Sequence, residues 1–118
     1  MFYLIVEVHE PSYREDIYLA LQSIGVHRAI TVDALDIAAA LTDEQTFFTG
    51  FFRSDKIEAG NMLLIQAQVS SRSQVKEFLA NLREAGVNID TEKIVTITLL
   101  PAVVSFSSEH GYRDDGGQ

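Results

Sequence analysis

Apolar and polar positions alternate over Phe2–Val8 (FYLIVEV), with Phe2, Leu4, Val6 and Val8 on one face and Tyr3, Ile5 and Glu7 on the other. A period of two predicts a strand. Both faces are largely apolar, so a helix can cover one and a partner subunit the other. From Tyr13 the period lengthens. Tyr13, Ile17, Ala20, Leu21 and Ile24 form one stripe at helical spacing. Ser12 and Glu15 read as a capping box at its start. Gly25 suits the left-handed residue that ends a helix. Ala29–Val32 (AITV) is rich in β-branched residues and predicts a second strand.

The same grammar then repeats. Met62–Val69 alternates as a strand, and Ser71 to Ser73 can cap a helix. Val75, Phe78, Leu79 and Leu82 form that helix's stripe, and Gly86-Val87 closes it as Gly25-Val26 closed the first. Lys93–Val104 is the last strand region, with Pro101 marking an edge, a bend or an end because proline cannot donate to a ladder. The order strand, helix, strand, strand, helix, strand predicts an α+β fold. It is the ferredoxin-like βαββαβ sandwich, an antiparallel sheet with two helices on one face and a long loop between strands 2 and 3. One domain is expected over 1–104, with the loop at 33–61 and a flexible polar tail at 105–118.

A short hairpin would join the two units, yet the chain spends Asp33 to Asn61 there. Length of that kind inside a compact domain is commonly functional. Asp33 to Leu41 reads as a strand extension or a short helix. Phe47, Phe48, Phe51 and Phe52 crowd six residues beyond it. Each is worth about 1.5–3 kcal/mol if buried, so they are expected to pack. They pack either as a β-extension on the body or a neighbouring subunit, or as a partner-binding surface.

Composition narrows the function. The chain has 118 residues, is 47% hydrophobic and carries a net charge of −8 from 17 acids and 9 bases. That field repels a phosphate backbone, so no nucleic-acid partner is expected. Without cysteine there is no disulfide, thiolate nucleophile or thiolate metal site. No apolar run is long enough for a membrane span, and the N-terminal run reads as a strand, not a signal peptide. A cytoplasmic location is expected.

Over about Phe2 to Val104 the chain resembles the PII-like signalling proteins (nitrogen regulatory protein PII and its relatives), as a divergent member. The resemblance rests on the double βαβ order and the long insertion after the second strand, the position of the family's T-loop. It also rests on Ala29-Ile30-Thr31-Val32-Asp33 with Ala40-Leu41-Thr42-Asp43-Glu44 and Phe51-Phe52-Arg53-Ser54, and on Lys93-Ile94-Val95 with Leu100-Pro101-Ala102-Val103. It implies a compact homotrimer, nucleotide or small-ligand sites in the clefts between subunits, and loops that signal to a regulated protein partner. By position against the family, Asp36, Arg53, Asn88 and Lys93 are the candidate ligand-binding residues, and the four phenylalanines the candidate partner-binding loop.

Three departures stand against an adenine nucleotide, the family's candidate ligand. The loop base reads Ala34-Leu35-Asp36-Ile37-Ala38-Ala39, without the glycine that lets backbone amides approach a phosphate. The second phosphate-contacting turn reads Asn88-Ile89-Asp90-Thr91-Glu92-Lys93, acidic apart from Lys93. Ser105, Ser107 and Ser108 stand where a basic pair is expected. No cofactor is expected.

His9, His27 and His110 are scattered, and His9 with Glu7 or Glu10 lacks metal-ligand spacing, so no metal site is expected. Glu7, a carboxylate in an apolar strand, needs an exposed position or a partner, such as an arginine across an interface. No nucleophile motif is present, and no catalytic residue is assigned. The leading expectation is a non-catalytic PII-like regulatory sensor. Two others stand beside it: a ferredoxin-like dimeric enzyme or binding protein with a pocket between helices and sheet, and a pure assembly module.

Overall fold

The structure, a computed structural model, describes residues 1–26, 28–42 and 60–115. Four strands make one antiparallel sheet: β1 (Phe2–Val8), β2 (Ala29–Leu35), β3 (Asn61–Val69) and β4 (Val95–Pro101), in the order β2-β3-β1-β4. Helices α1 (Arg14–Ser23) and α3 (Arg72–Glu84) pack on one face, and the short α2 (Ile37–Thr42) follows β2. This is the split βαβ arrangement that the repeated pattern predicts.

The register sorts the side chains. Leu4, Val6 and Val8 of β1 lie opposite Ala67, Ile65 and Leu63 of β3, and opposite Leu99, Ile97 and Val95 of β4. They form one core with Ile17, Ala20 and Leu21 of α1 and Phe78 and Leu82 of α3. The opposite face carries Ile30 and Val32 of β2, Leu64 and Gln66 of β3, Tyr3, Ile5 and Glu7 of β1, and Thr96, Thr98 and Leu100 of β4. No helix covers it among the described residues, and Ile30 and Val32 are exposed.

Both helices end as the glycines predict. Gly25 and Gly86 have φ of 87° and 86°, and Val26 and Val87 donate back to the Leu21 and Leu82 carbonyls at 3.2 and 3.0 Å. The starts differ. Pro11–Tyr13 is a 3-10 turn and α1 begins only at Arg14, with no side-chain cap. Ser12 therefore does not cap the helix as its spacing with Glu15 suggests, because the proline-led turn takes up the residues a capping box would use. In α3 the box is present, between Ser71 and Gln74. Gln74 Oε1 accepts from the Ser70 and Ser71 amides at 2.7 and 3.1 Å, while its Nε2 donates to the Ile24 carbonyl at 3.0 Å. One side chain thus starts α3 and ties it to the end of α1. Gln74→Ala is expected to cost about 1–2 kcal/mol, read as a lower denaturation midpoint.

Two further differences concern the segments between and after the repeats. Asp33 to Leu41 is both a strand extension and a helix: β2 runs to Leu35 and α2 follows. The segment from 105, expected as a flexible polar tail, carries secondary structure in its first part. Val104–Ser107 (β5) and Gly111–Asp114 (β6) pair as an antiparallel hairpin.

Candidate functional site

At one end of the sheet β1 ends, β3 begins and the chain enters β4. The ends of the long loop meet here. Asp36 donates its amide to the Gly60 carbonyl at 2.7 Å, which clamps the loop's two stems together. Gly60 has φ of 80°, and a Cβ there would sit 2.9 Å from the Asp36 carbonyl oxygen and 3.0 Å from the Ala39 Cβ. Both the backbone conformation and the space require glycine.

Beside this clamp opens a cleft of about 510 Å³. His9, Glu10 and Pro11 line it from just after β1, Asp36 from just before α2 and Ala39 from within it, Gly60 from just before β3, Asn61 and Met62 from its start, and Lys93 from the turn before β4. The volume suits a small molecule. His9 is anchored, its Nε2 lying 2.8 Å from Thr96 Oγ1 and its amide donating to the Ile94 carbonyl at 2.7 Å. Asp36 Oδ1 accepts from the Ala38 and Ala39 amides at 3.0 and 3.3 Å. The chain's own carboxylate thus takes the first amides of α2, which an anion would otherwise use. Lys93 is exposed and forms no ion pair among the described residues.

Two of the four residues expected from the sequence, Asp36 and Lys93, meet in this cleft although they lie far apart in the chain. Asn88 does not line it, and its Nδ2 points to Glu92 Oε2 at 3.4 Å. Arg53 and Phe47, Phe48, Phe51 and Phe52 lie outside the described residues, as does His27. From the last turn of α3, Arg83 grips Asp90 in the following turn through two hydrogen bonds of 2.8 and 3.0 Å. The hydrogen bond from Arg83 holds the Asp90 carboxyl below its ordinary range. The sequence does not place His9, Glu10 and Gly60 together in this cleft; there His9 and Glu10 read only as a pair without metal-ligand spacing. The one signal was a glycine standing directly before a strand.

Glu7 lies on the open face between Leu64 and Thr96 and is half-buried. No hydrogen bond or ion pair holds it among the described residues. A second hollow, of about 400 Å³, lies between α1 and β2, lined by Leu19, Leu21, Val26, Ile30 and Ile65 among others. Among the described residues no histidine or carboxylate lines it, and Tyr18, Gln22 and Thr31 are its polar side chains. Among the described residues no group of three His, Asp or Glu could hold a metal, and no helix is long and apolar enough to cross a membrane.

No family model matches the chain, and no curated protein matches it in sequence. A solved structure does: the crystal structure of Arabidopsis thaliana PII bound to citrate is similar over 99% of this chain and 92% of that one, with a TM-score of 0.59 at 14% identity. The fold is the PII fold. The insertion between β2 and β3 and the cleft at its base are features of this chain's own geometry, and at 14% identity the likeness extends to the fold alone.

Proposed function

We propose that this chain is a PII-like regulatory protein without catalytic activity. It assembles as a trimer, binds a small ligand in the cleft at the base of the long loop, where subunits adjoin, and signals occupancy through that loop. The observation that carries this reading is the cleft itself. It borders both stems of the loop, so a ligand held there touches the residues that set the loop's exit angles. The similar plant protein has citrate bound, which makes small carboxylates a class to test alongside adenine nucleotides.

Lys93 is the fixed positive charge of the cleft, facing Glu10 and Asp36. A ligand with an anionic group would pair with Lys93, and a donor or cationic group would suit Glu10. Asp36 serves mainly to hold the start of α2. Arg53 and Asn88 remain candidates for a contribution from the loop or from a neighbouring subunit. Phe47, Phe48, Phe51 and Phe52 are the surface proposed for the regulated protein partner.

Calorimetric titration with ATP, ADP, AMP and citrate tests this. At least one is expected to bind. Lys93→Ala is expected to weaken that binding at least tenfold, about 1.4 kcal/mol, with an unchanged thermal midpoint because the side chain is exposed. Binding left intact by Lys93→Ala, or no binding of any of the four, would contradict the reading.

A further inference from the structure

The β5–β6 hairpin is built inside out. Phe106 and Tyr112 stand directly opposite each other, and they are 73% and 66% exposed, with Val103 and Val104 also half-exposed or more. The alternate face of the hairpin is the polar one, and it turns towards the chain's own sheet: Ser105 Oγ accepts from Gln68 Nε2 at 2.9 Å. Glu109 in the turn pairs with Arg28 at the start of β2, and Asp115 pairs with the chain's N-terminus. These three ties fix the hairpin by its polar side and aim its aromatic side away. A two-stranded hairpin is marginal alone in water, and one with its apolar face wet is more so.

The same chain offers a matching hollow elsewhere. The groove between α1 and the edge strand β2 has core side chains, Leu21, Val26 and Ile65, as its floor and Leu19 and Ile30 at its rim. Leu19 and Ile30 are 63% and 60% exposed. The hairpin cannot reach this groove in its own chain while its polar side is tied down. We infer that the hairpin of one copy docks its Phe106–Tyr112 face into the α1/β2 groove of a second copy. The edge of β2 and the outer edge of β5 each lack a strand partner among the described residues, so the contact also brings two unpaired ladders together.

The area is of the right size. Val104, Phe106 and Tyr112 of the hairpin and the groove's exposed Leu19 and Ile30 present on the order of 600 Å² of apolar surface. An interface at the low end of the specific range, about 1,200 Å² in total, has on the order of 700 Å² that is apolar. Copies that each carry −8 repel at long range, so an apolar contact is what can hold them. The two surfaces differ, so the contact is head to tail, the kind of contact a three-membered ring requires. The inference rests on the assembly part of the proposed function and supplies the residues that perform it.

The absence of cysteine permits a clean test on the full chain. Gln22→Cys marks the groove and Val104→Cys marks the hairpin, and both leave Phe106 and Leu19 in place. A short bismaleimide is expected to join the two variants when they are mixed and allowed to exchange, and to join neither variant alone. No product in the mixture, or equal product from Val104→Cys alone, would overturn the inference. By sedimentation, Phe106→Ser with Tyr112→Ser is expected to weaken self-association at least tenfold with an unchanged circular dichroism spectrum. Association equal to the parent's would likewise overturn it. Cross-linking without ligand binding would sink only the sensor reading, and ligand binding without cross-linking only this interface.

Discussion

Phe78→Ala is expected to cost about 3–5 kcal/mol and to lower the thermal midpoint by about 10–20 °C. Phe78 is fully buried and heads the largest buried side chains of the chain. It projects from α3 into the cluster that includes Leu4 and Val6 of β1, Ile65 of β3 and Ile17 of α1. Truncation removes its transfer free energy and leaves a void that four elements would have to close. A domain of this size has roughly 5–15 kcal/mol in total, so the variant would stand near its folding threshold. Leu79→Ala, at a half-buried neighbour on the same helix, is expected to cost about 1–2 kcal/mol. Denaturant titration of both variants checks the contrast, and equal costs would contradict the packing described here.

Gly60→Ala is the second large effect. Its φ of 80° costs an L-residue about 1–2 kcal/mol. The new Cβ would also meet the Asp36 carbonyl oxygen at 2.9 Å, a backbone atom that cannot turn aside. A total of about 2–4 kcal/mol is expected. Gly25→Ala provides the control, with φ of 87° but nothing within 4 Å of its Cβ, and should cost only the backbone share. The difference between the two variants isolates the steric clamp at the loop base. Because that clamp forms one wall of the cleft, Gly60→Ala is also expected to lower ligand affinity, whereas Gly25→Ala is not.

The double βαβ scaffold was legible in the sequence because burial writes itself into period: every second residue in β1 and β3, every third or fourth in α1 and α3. Gly25-Val26 and Gly86-Val87 announced the helix ends because a left-handed residue followed by an apolar contact has a distinctive signature. The strand β2 was read short, ending at Val32. It is an exposed edge strand, so Asp33 is tolerated in it and breaks no burial pattern. The hairpin was missed for a related reason. Val104-Ser105-Phe106-Ser107 does alternate, but its apolar side faces solvent, and a strand without a core to face looks like a polar tail. Asp36 and Lys93, named together through the resemblance to PII, line one cleft. His9, Glu10 and Gly60 join them only through the sheet register, which brings the end of β1 to the start of β3 and which spacing along the chain does not encode.

Native mass spectrometry of the full chain, alone and with ATP, ADP, AMP and citrate in turn, tests the central claim most directly, because it reads subunit number and retained ligand together. The account predicts a trimer that retains a small ligand, with retention lost in Lys93→Ala. A monomer or dimer, or a trimer that retains none of the four, would contradict it.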